Sequence, residues 1–339
     1  MNIKVDLKEN GYHVVVGRKL LCNVGEYLNL QRKVLVVTDS GVPKEYSDKV
    51  MSKCKEPVRV IIEQGEKSKS FENYQKLLLT MLENEFTRTD AVVAVGGGVV
   101  GDLSGFVAST YMRGVDFYNI PTTVLSQIDS SIGGKTAIDF GNYKNTVGAF
   151  YQPKKVLVDV DTLKTLPQRQ ISNGLAESVK IALTFDEELF SVFESGKVEE
   201  NIEKIIQRSI ELKRDVVEKD EKEAGLRKVL NYGHTIGHAV ESAIDLGTLY
   251  HGECVSIGML SMCSEGVRKR LEKVLLSLSL PTGIQFDTEK ATDSVMHDKK
   301  FDGDELTVIK VEKVGTFKME KIAKSDIVQM IEKVGGKAQ

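Results

Sequence analysis

Three histidines in one short stretch are candidates for a metal site. His234, His238 and His251 lie within eighteen residues, although the whole chain has only 5 histidines. His234 and His238 are four residues apart, so on a helix their side chains lie on one face. Neutral imidazole is a common zinc ligand, and this spacing is typical of zinc-binding helices. The spacing alone therefore predicts that His234 and His238 bind a metal together.

Glu177 is a candidate for a third ligand. It lies in the segment Gly174–Lys180, where small and apolar neighbours predict burial. A buried glutamate must be paired, protonated or bound to a metal. An ion pair with Lys180, three residues later on the same helix, explains its burial equally well. Both interpretations stay open on the sequence.

A glycine-rich segment is typical of phosphate binding. Gly96-Gly-Gly-Val-Val-Gly-Asp102 follows the predicted strand Ala91–Val95 and leads into a helical pattern that ends near Met112. Glycines at this junction let backbone N–H groups approach a phosphate, which the helix dipole also favours. The segment is not GxGxxG, and a plain tight turn explains it as well. Asp39, at the end of an earlier strand, is either a ribose ligand or an ordinary strand-end aspartate. Together these features favour a dinucleotide.

Several cations at loop and helix-end positions suggest an anionic substrate. Taken singly, each is typical of a solvated surface charge, but clustered they would attract an anion. They are Arg113, Lys135, Lys144, Lys213, Arg227, Lys299 and Lys300.

The elements that carry these residues change character near residue 165. Before it, continuous valine and isoleucine runs separated by helices predict a parallel sheet covered on both faces. The expected elements are a hairpin of Ile3–Leu7 and Tyr12–Val16, strands at Val34–Val37, Val58–Glu63, Ala91–Val95, Phe117–Ile120 and Val156–Val160, and a helix at Phe71–Glu83. After it, the periodicity is almost entirely helical. The expected helices are Ala176–Thr184, Glu187–Glu194, Val198–Val217, Arg227–Ala243, Val255–Lys273 and Ser325–Val334. We predict an α/β domain over 1–168 and an α-helical domain over 169–339.

Composition narrows the class of protein. The 339 residues are 41% hydrophobic and 28% charged, with a net charge of −3, so nucleic acid is not an expected partner. The apolar runs are too short to span a membrane, and the N-terminus lacks the apolar core of a signal peptide. Four cysteines without CxxC spacing are expected to be buried, inert thiols in a reducing cytoplasm. They are Cys22, Cys54, Cys254 and Cys263.

A set of motifs distributed along nearly the whole chain resembles the 3-dehydroquinate synthase family of sugar-phosphate cyclases. The motifs occur in family order and with family-like spacing. They are Gly96–Leu103, Tyr111–Gly114, Ile120–Ser131, Gly133–Thr136, Lys144-Asn145, Gly148–Pro153, Asp161–Pro167, Gly174–Lys180, Asn231–His238 and His251–Glu253.

The resemblance implies a role for each matching position. It assigns zinc, with cobalt as the alternative metal, to Glu177, His234 and His251, and moves His238 to the substrate. The positions implied to contact NAD are Asp39, Glu66, Lys69, Gly97, Gly98, Val99, Asp102, Thr122 and Thr123. Lys135 and Lys144 are assigned to both cofactor and substrate. The other substrate positions are Asp129, Asn145, Lys180, Lys213, Arg227, Asn231, His238 and one residue of the Lys299-Lys300 pair. Arg113 matches an arginine that reaches a neighbouring subunit, which implies a homodimer.

The resemblance also implies a fold and a reaction. A Rossmann-like NAD-binding domain would precede the helical metal-binding domain, with the active site in the cleft between them. The enzyme, a carbon–oxygen lyase of the shikimate pathway, would convert 3-deoxy-D-arabino-heptulosonate 7-phosphate to 3-dehydroquinate and phosphate. The expected steps are transient oxidation by NAD, β-elimination of phosphate, reduction, ring opening and intramolecular aldol closure. We expect Lys180 and Asp129 to assist proton movement, while Lys135, Asn145, Asn231 and His238 hold the anionic ends.

Three alternatives remain. A related cyclase would act on sedoheptulose 7-phosphate or glucose 6-phosphate, which lack the carboxylate. A metal-dependent polyol dehydrogenase would release NADH in every turnover. A nucleotide-binding sensor or scaffold would perform no reaction. Asn231 and the Lys299-Lys300 pair, which match substrate-contacting positions of the family, favour the carboxylate-bearing substrate.

Overall fold

The computed structural model describes residues 1–141, 143–245, 247–296 and 305–335. They form two compact units. The first contains Met1–Pro167 and Lys213–Lys222, and the second contains Gln168–Leu212 and the described residues from Glu223 onward. The predicted domains were contiguous, so the placement of Lys213–Lys222 in the first unit differs from prediction. Their contacts explain it: Glu218 accepts a hydrogen bond from the N–H of Asp6, and Glu221 accepts one from Gln152.

A seven-stranded sheet is the centre of the first unit. Its order is β1-β2-β9-β6-β5-β3-β4, with β1 antiparallel to β2 and every other neighbouring pair parallel. A separate antiparallel hairpin pairs β7 with β8. The strands are β1 (Asn2–Val5), β2 (Tyr12–Gly17), β3 (Lys33–Asp39), β4 (Glu56–Ile62), β5 (Ala91–Gly96), β6 (Asp116–Pro121), β7 (Lys135–Phe140), β8 (Tyr143–Phe150) and β9 (Lys155–Asp159).

Helices cover both faces of the large sheet, as predicted. They are α1 (Val24–Tyr27), α2 (Lys44–Met51), α3 (Phe71–Glu83) and α4 (Gly98–Thr110). Alternate residues of β3 point to opposite faces. Leu35 packs in one core with Leu77 of α3 and Leu103 of α4. Val36 packs in the other with Val24 of α1 and Val50 of α2. Burial on both sides is why these strands are continuously apolar.

The hairpin of β7 and β8 was not predicted. Most of β8 is exposed, and the sequence there is polar, so neither an apolar run nor a clear alternation marks it. Ile138 of β7 is fully buried in the core cluster that contains α3 and α4. Val147 and Ala149 of β8 pack against the same cluster, and these contacts together with the cross-strand backbone bonds account for the hairpin.

The second unit is mainly helical. Its helices are α5 (Gln168–Phe185), α6 (Glu187–Glu194), α7 (Ile202–Lys219, which continues into the first unit), α8 (His234–Ala243), α9 (His251–Ser261), α10 (Glu265–Ser277), α11 (Thr288–Met296) and α12 (Lys324–Gly335). It also contains an antiparallel hairpin of β10 (Glu305–Lys310) and β11 (Lys318–Ala323), which was not predicted.

Two helices predicted as continuous are each broken. The segment 227–243 divides into a 3₁₀ turn, Leu226–Asn231, and α8, because Gly233 adopts a left-handed conformation with φ of 77°. The segment 255–273 divides at Ser264, whose side chain accepts a hydrogen bond from the N–H of Val267 and caps α10. Among the described residues, we find no helix with the length and apolar character needed to span a membrane.

Candidate functional site

Glu177, His234 and His251 meet in the second unit from three different helices. Oε1 of Glu177 lies 3.7 Å from Nε2 of His234 and 3.6 Å from Nε2 of His251. Glu177 is fully buried, and its Oε1 atom has no hydrogen-bond partner among the residues that the structure describes. A buried carboxylate oxygen without a donor costs free energy, unless a cation binds it.

His238 lies in the same group. Its ring centroid is 5.3 Å from that of His234 and 5.5 Å from that of His251. One ring nitrogen from each histidine falls within 4.8 Å of the others, a separation compatible with a shared metal ion. The structure therefore brings together the pair expected from helical spacing and the set implied by the resemblance.

Close helix packing creates this convergence. Gly258 of α9 lies against the turn that begins α8, where a Cβ on Gly258 would overlap the carbonyl oxygen of Gly233. The N–H of Gly252 donates to Oδ1 of Asn173 on α5 over 2.7 Å. Small residues let the backbones approach closely, and the ligand side chains of the three helices can then meet.

Backbone and side-chain oxygens orient both imidazoles. Nδ1 of His234 lies 3.1 Å from the carbonyl oxygen of Tyr232, and Nδ1 of His251 lies 3.3 Å from Oε2 of Glu241. Burial, together with the nearby charge of Lys180, holds the pKa of His234 well below its ordinary value. A neutral imidazole with its Nε2 lone pair directed at Glu177 is a suitable metal ligand.

Lys180 uses the other oxygen of Glu177. Its Nζ donates to Oε2, and both side chains are buried. The ion pair therefore leaves one carboxylate oxygen available to a metal, so the two alternatives left open by the sequence are compatible. The atoms available to bind a metal are one carboxylate oxygen and two Nε2 atoms, and His238 lies beside them. Three protein ligands of these types fit a catalytic zinc or cobalt ion that keeps one position open.

Arg227 and Asn231 lie on the 3₁₀ turn before α8. Arg227 is only 2% exposed. Asn231 donates from Nδ2 to Oε1 of Glu223 over 2.6 Å. Glu223 was not predicted as a site residue, because a glutamate in the charged stretch 218–223 is typical of a solvated surface.

In the first unit, predicted nucleotide-binding residues meet at the carboxyl edge of the sheet. Parallel strands β3, β5 and β6 are neighbours, so their carboxyl ends lie at one edge of the sheet. The residues at this edge include Asp39, Gly96 and Thr122. Gly97 precedes the first turn of α4, which contains Gly98 and Val99. The Thr122 N–H donates to the Gly96 carbonyl, and the hydroxyls of Thr123 and Ser126 lie 2.8 Å apart. Burial raises the pKa of Asp39 despite hydrogen bonds from Gly41 and Val42.

Lys69 is the centre of a second polar cluster in this unit. It is 4% exposed, and its Nζ donates to Oδ2 of Asp102 over 2.6 Å and to Oδ1 of Asn145. Glu66 lies 4.0 Å away. Asp139 accepts the N–H of Asn145 and donates its own N–H to the Lys69 carbonyl. The cluster joins the predicted positions Glu66, Lys69, Asp102 and Asn145 in one place.

Lys213 and Asp129 form a third contact in the first unit. Nζ of Lys213 donates to Oδ1 of Asp129 over 2.5 Å and to its carbonyl oxygen over 2.6 Å. Asp129 lies in the π-helical turn Ser126–Ser130.

The remaining predicted cations are exposed or outside the described residues. Lys135 begins β7, Lys144 lies in β8, and both are exposed. Arg113 is exposed in the turn after α4, where it and Met112 both have positive φ. Lys299 and Lys300 lie outside the described residues.

Fold and site together define a class: an α/β unit with a glycine-rich, strand-to-helix loop, joined to a helical unit with a metal-type ligand set. The 3-dehydroquinate synthase N-terminal family matches residues 59–173, and the C-terminal family matches residues 174–301. The chain is 38% identical over 345 residues to 3-dehydroquinate synthase of Campylobacter concisus, covering 98% of this chain and 99% of that protein. The chain belongs to the 3-dehydroquinate synthase family.

Two solved structures share the whole architecture. One is 2-epi-5-epi-valiolone synthase from Streptomyces hygroscopicus subsp. jinggangensis 5008 with NAD+ and Zn2+ bound, with 28% identity, a TM-score of 0.87 and 98% coverage of each chain. The other is 2-deoxy-scyllo-inosose synthase complexed with carbaglucose-6-phosphate, NAD+ and Co2+. It has 24% identity and a TM-score of 0.87, and the match covers 98% of this chain and 100% of that chain. The match confirms the predicted combination of a mostly parallel sheet unit and a helical unit.

Proposed function

We propose that this chain converts 3-deoxy-D-arabino-heptulosonate 7-phosphate to 3-dehydroquinate and inorganic phosphate. The observation that carries the proposal is the partnerless, buried Oε1 atom of Glu177, which faces Nε2 of His234 and of His251 beside the buried ammonium of Lys180. In a chain of this family, such an arrangement suits a metal-assisted reaction of a hydroxylated anion.

Glu177, His234 and His251 would hold Zn2+ or Co2+. When bound, the metal acts as a Lewis acid that makes a coordinated substrate hydroxyl more acidic. Lys180 would remain beside that hydroxyl, since Oε2 of Glu177 holds its Nζ. An ammonium in this position stabilises negative charge on a substrate oxygen and can exchange a proton with it.

The first unit would hold NAD, which supplies reversible hydride transfer when bound. Gly97, Gly98 and Val99 would present backbone N–H groups of the α4 N-terminus to the pyrophosphate. Asp39, at the end of β3, would accept hydrogen bonds from a ribose. The Lys69 cluster would position further polar groups of the nucleotide, with Thr122 and Thr123 at the same sheet edge.

We assign the buried cations of the predicted set to an anionic substrate. Lys213 and Arg227 are 5% and 2% exposed, and the ammonium of Lys213 is held by Asp129. We assign Asn231 and His238 to the substrate with them, and Lys135, Lys144 and Asn145 to the region shared by substrate and cofactor. Asp129, which is held by Lys213, is our candidate for proton movement.

Sequence identity favours this substrate over those of related cyclases. The chain is 38% identical to a 3-dehydroquinate synthase, against 24% to the inosose synthase and 28% to the valiolone synthase. The four cysteines are free, with no disulfide among the described residues, which supports the cytoplasm as the site of this reaction in the shikimate pathway. Cys254 is buried, but Cys22 is exposed and Cys54 and Cys263 are partly exposed, so the predicted burial of all four thiols was wrong.

We also propose that the chain forms a homodimer in which Arg113 contacts the neighbouring subunit's site. The exposed position of Arg113 and an exposed aromatic cluster support self-association. Phe71, Phe140 and Tyr143 are 48%, 57% and 66% exposed, and the rings of Phe71 and Phe140 lie 6.5 Å apart. Light scattering should give twice the 37.5 kDa chain mass; the single-chain mass would contradict the proposal.

The decisive experiment combines the purified protein with 3-deoxy-D-arabino-heptulosonate 7-phosphate, catalytic NAD+ and Zn2+. We expect stoichiometric phosphate release without accumulation of NADH, and loss of the reaction with chelator. Sustained accumulation of NADH would indicate a dehydrogenase instead. Absence of phosphate release here, together with release from sedoheptulose 7-phosphate or glucose 6-phosphate, would indicate a related cyclase.

A further inference from the structure

Glu241 contacts a metal-site histidine but has no role in the function proposed above. It lies on α8, seven residues after His234 and three after His238, so all three side chains fall on one helical face. Its Oε2 atom lies 3.3 Å from Nδ1 of His251, the first residue of α9.

The two nitrogens of His251 face two different carboxylates. Nδ1 faces Glu241, and Nε2 faces the partnerless Oε1 of Glu177 over 3.6 Å. An ionised carboxylate only accepts hydrogen bonds, so a bond to Glu241 places the imidazole proton on Nδ1. In the neutral imidazole, the Nε2 lone pair is then directed toward Glu177 and is available to a metal.

His234 shows the same arrangement with a backbone partner. Its Nδ1 faces the carbonyl oxygen of Tyr232, and its Nε2 faces Glu177. His234 is also more enclosed, since its side chain is 11% exposed and that of His251 is 32% exposed. Packing therefore restricts the His251 ring less, and a side-chain acceptor has more influence on its orientation.

We propose that Glu241 is a positioning residue that fixes the tautomer and ring orientation of His251 for metal binding. The inference rests on the metal centre of the proposed function. Outer carboxylates of this kind change metal affinity by about 10–100-fold when they are removed. Glu241 acts through His251 and need not touch the metal or the substrate.

Three variants test the proposal by metal affinity, measured for Zn2+ alone in competition with a chromophoric chelator. Glu241→Leu removes the acceptor, and we expect it to weaken Zn2+ binding about 10–100-fold. Glu241→Gln keeps a neutral acceptor oxygen and should recover part of the lost affinity. Glu265→Gln, at a 74% exposed position on α10, is the matched control and should bind Zn2+ like the parent protein.

Nitrogen-15 spectra of the metal-free imidazoles provide a readout that a purely structural effect would not change. At a pH high enough to keep the imidazole neutral, we expect His251 to be protonated on Nδ1 in the parent protein and in Glu241→Gln, and to show a mixture of tautomers in Glu241→Leu. If Glu241→Leu fails to fold, Glu241→Ala also removes the acceptor, and parental affinity with an unchanged Nδ1–H shift in that variant overturns the proposal. Parental affinity and tautomer in a folded Glu241→Leu overturn it as well.

The same titration separates this inference from the proposed function. A parent protein that binds no Zn2+ would contradict both the metal centre and the role of Glu241. Tight binding by the parent and by all variants would leave the metal centre intact and reject the role of Glu241 alone.

Discussion

Glu177 divides its interactions between its two oxygens. Oε2 accepts from Lys180, while Oε1 faces two imidazole nitrogens without accepting a hydrogen bond. If the carboxylate only formed an ion pair, we would not expect a buried oxygen without a hydrogen bond next to two imidazole nitrogens. The division is the residue-scale reason to place a cation there.

Replacement of one ligand should remove the metal. We expect His251→Ala to reduce Zn2+ content to background and to lower phosphate release at least ~100-fold, since the Lewis acid contributes several kcal/mol. Elemental analysis after dialysis, together with the phosphate assay, measures both effects. His13→Ala, on β2 where Nδ1 contacts Asn2, is the control and should retain metal. Unchanged Zn2+ content in His251→Ala would reject this ligand.

At the scale of elements, glycines set the distance between the helices that carry the ligands. The turn before α8 lies so close to α9 that Gly258 has no space for a Cβ. Gly266 on α10 offers a contrast, because a Cβ there would meet nothing within 4 Å. The two positions have the same residue type in helices but opposite surroundings.

These surroundings predict opposite effects of the same substitution. Gly258→Ala should destabilise the fold by about 1–3 kcal/mol through overpacking, and should weaken Zn2+ binding by displacing His251 or His234. Gly266→Ala should stabilise it by about 0.4–1 kcal/mol, because alanine favours the helix and restricts the unfolded chain. Denaturant titration measures both changes. Equal stability of the two variants would contradict the packing argument.

Asp186 makes the stability of α6 depend on pH. Burial acts to raise its pKa, but hydrogen bonds from the Leu189 N–H and from Arg208 outweigh it, and the pKa lies below its ordinary value. A lowered folded-state pKa means that the carboxylate stabilises the fold above the unfolded pKa of about 3.9. This contribution disappears as the pH falls through the folded-state pKa.

Asp186→Asn tests the charge while keeping a good helix cap. We expect the variant to be less stable than the parent by about 0.5–1 kcal/mol at pH 7. The difference should decline below roughly pH 4 and vanish at lower pH. Urea titrations across this range measure it. A difference that stays constant with pH would contradict the assigned cause.

At the scale of the whole molecule, each unit contributes a different part of the proposed chemistry. The first carries the glycine-rich loop and the Lys69 cluster, and the second carries the metal-type ligands. Lys213 belongs to the first unit, although the residues directly before it in the chain belong to the second. Its helix, α7, begins in the second unit and ends in the first, where Lys213 holds Asp129.

Mixed dimers can test the proposed role of Arg113. Arg113→Ala and His251→Ala should each be inactive alone. A randomly mixed sample should recover roughly a quarter of the parental activity, since half of its dimers would contain one complete site. Arg88→Ala, at another exposed arginine of the first unit, is the control and should retain activity without mixing. Failure of the mixed sample to recover activity would mean that Arg113 serves its own subunit or none.

Local pattern by itself determined much of this protein. Buried strands such as Ala91–Val95, the helix Phe71–Glu83 and the concentration of histidines all follow from periodicity and residue type. The family motifs then pointed to the candidate ligands and nucleotide-binding positions. These features could be predicted because each depends on neighbours within a few residues.

Tertiary structure alone decided how those residues meet. Glu177 and His251 are far apart in sequence, and only the close packing of α5, α8 and α9 brings them together. The same packing revealed Glu241 as the partner of His251, and a turn revealed Glu223 as the partner of Asn231. Periodicity predicted one helix over 227–243, but the left-handed conformation of Gly233 interrupts it. Side-chain contacts between distant segments depend on backbone approach, which no local pattern records.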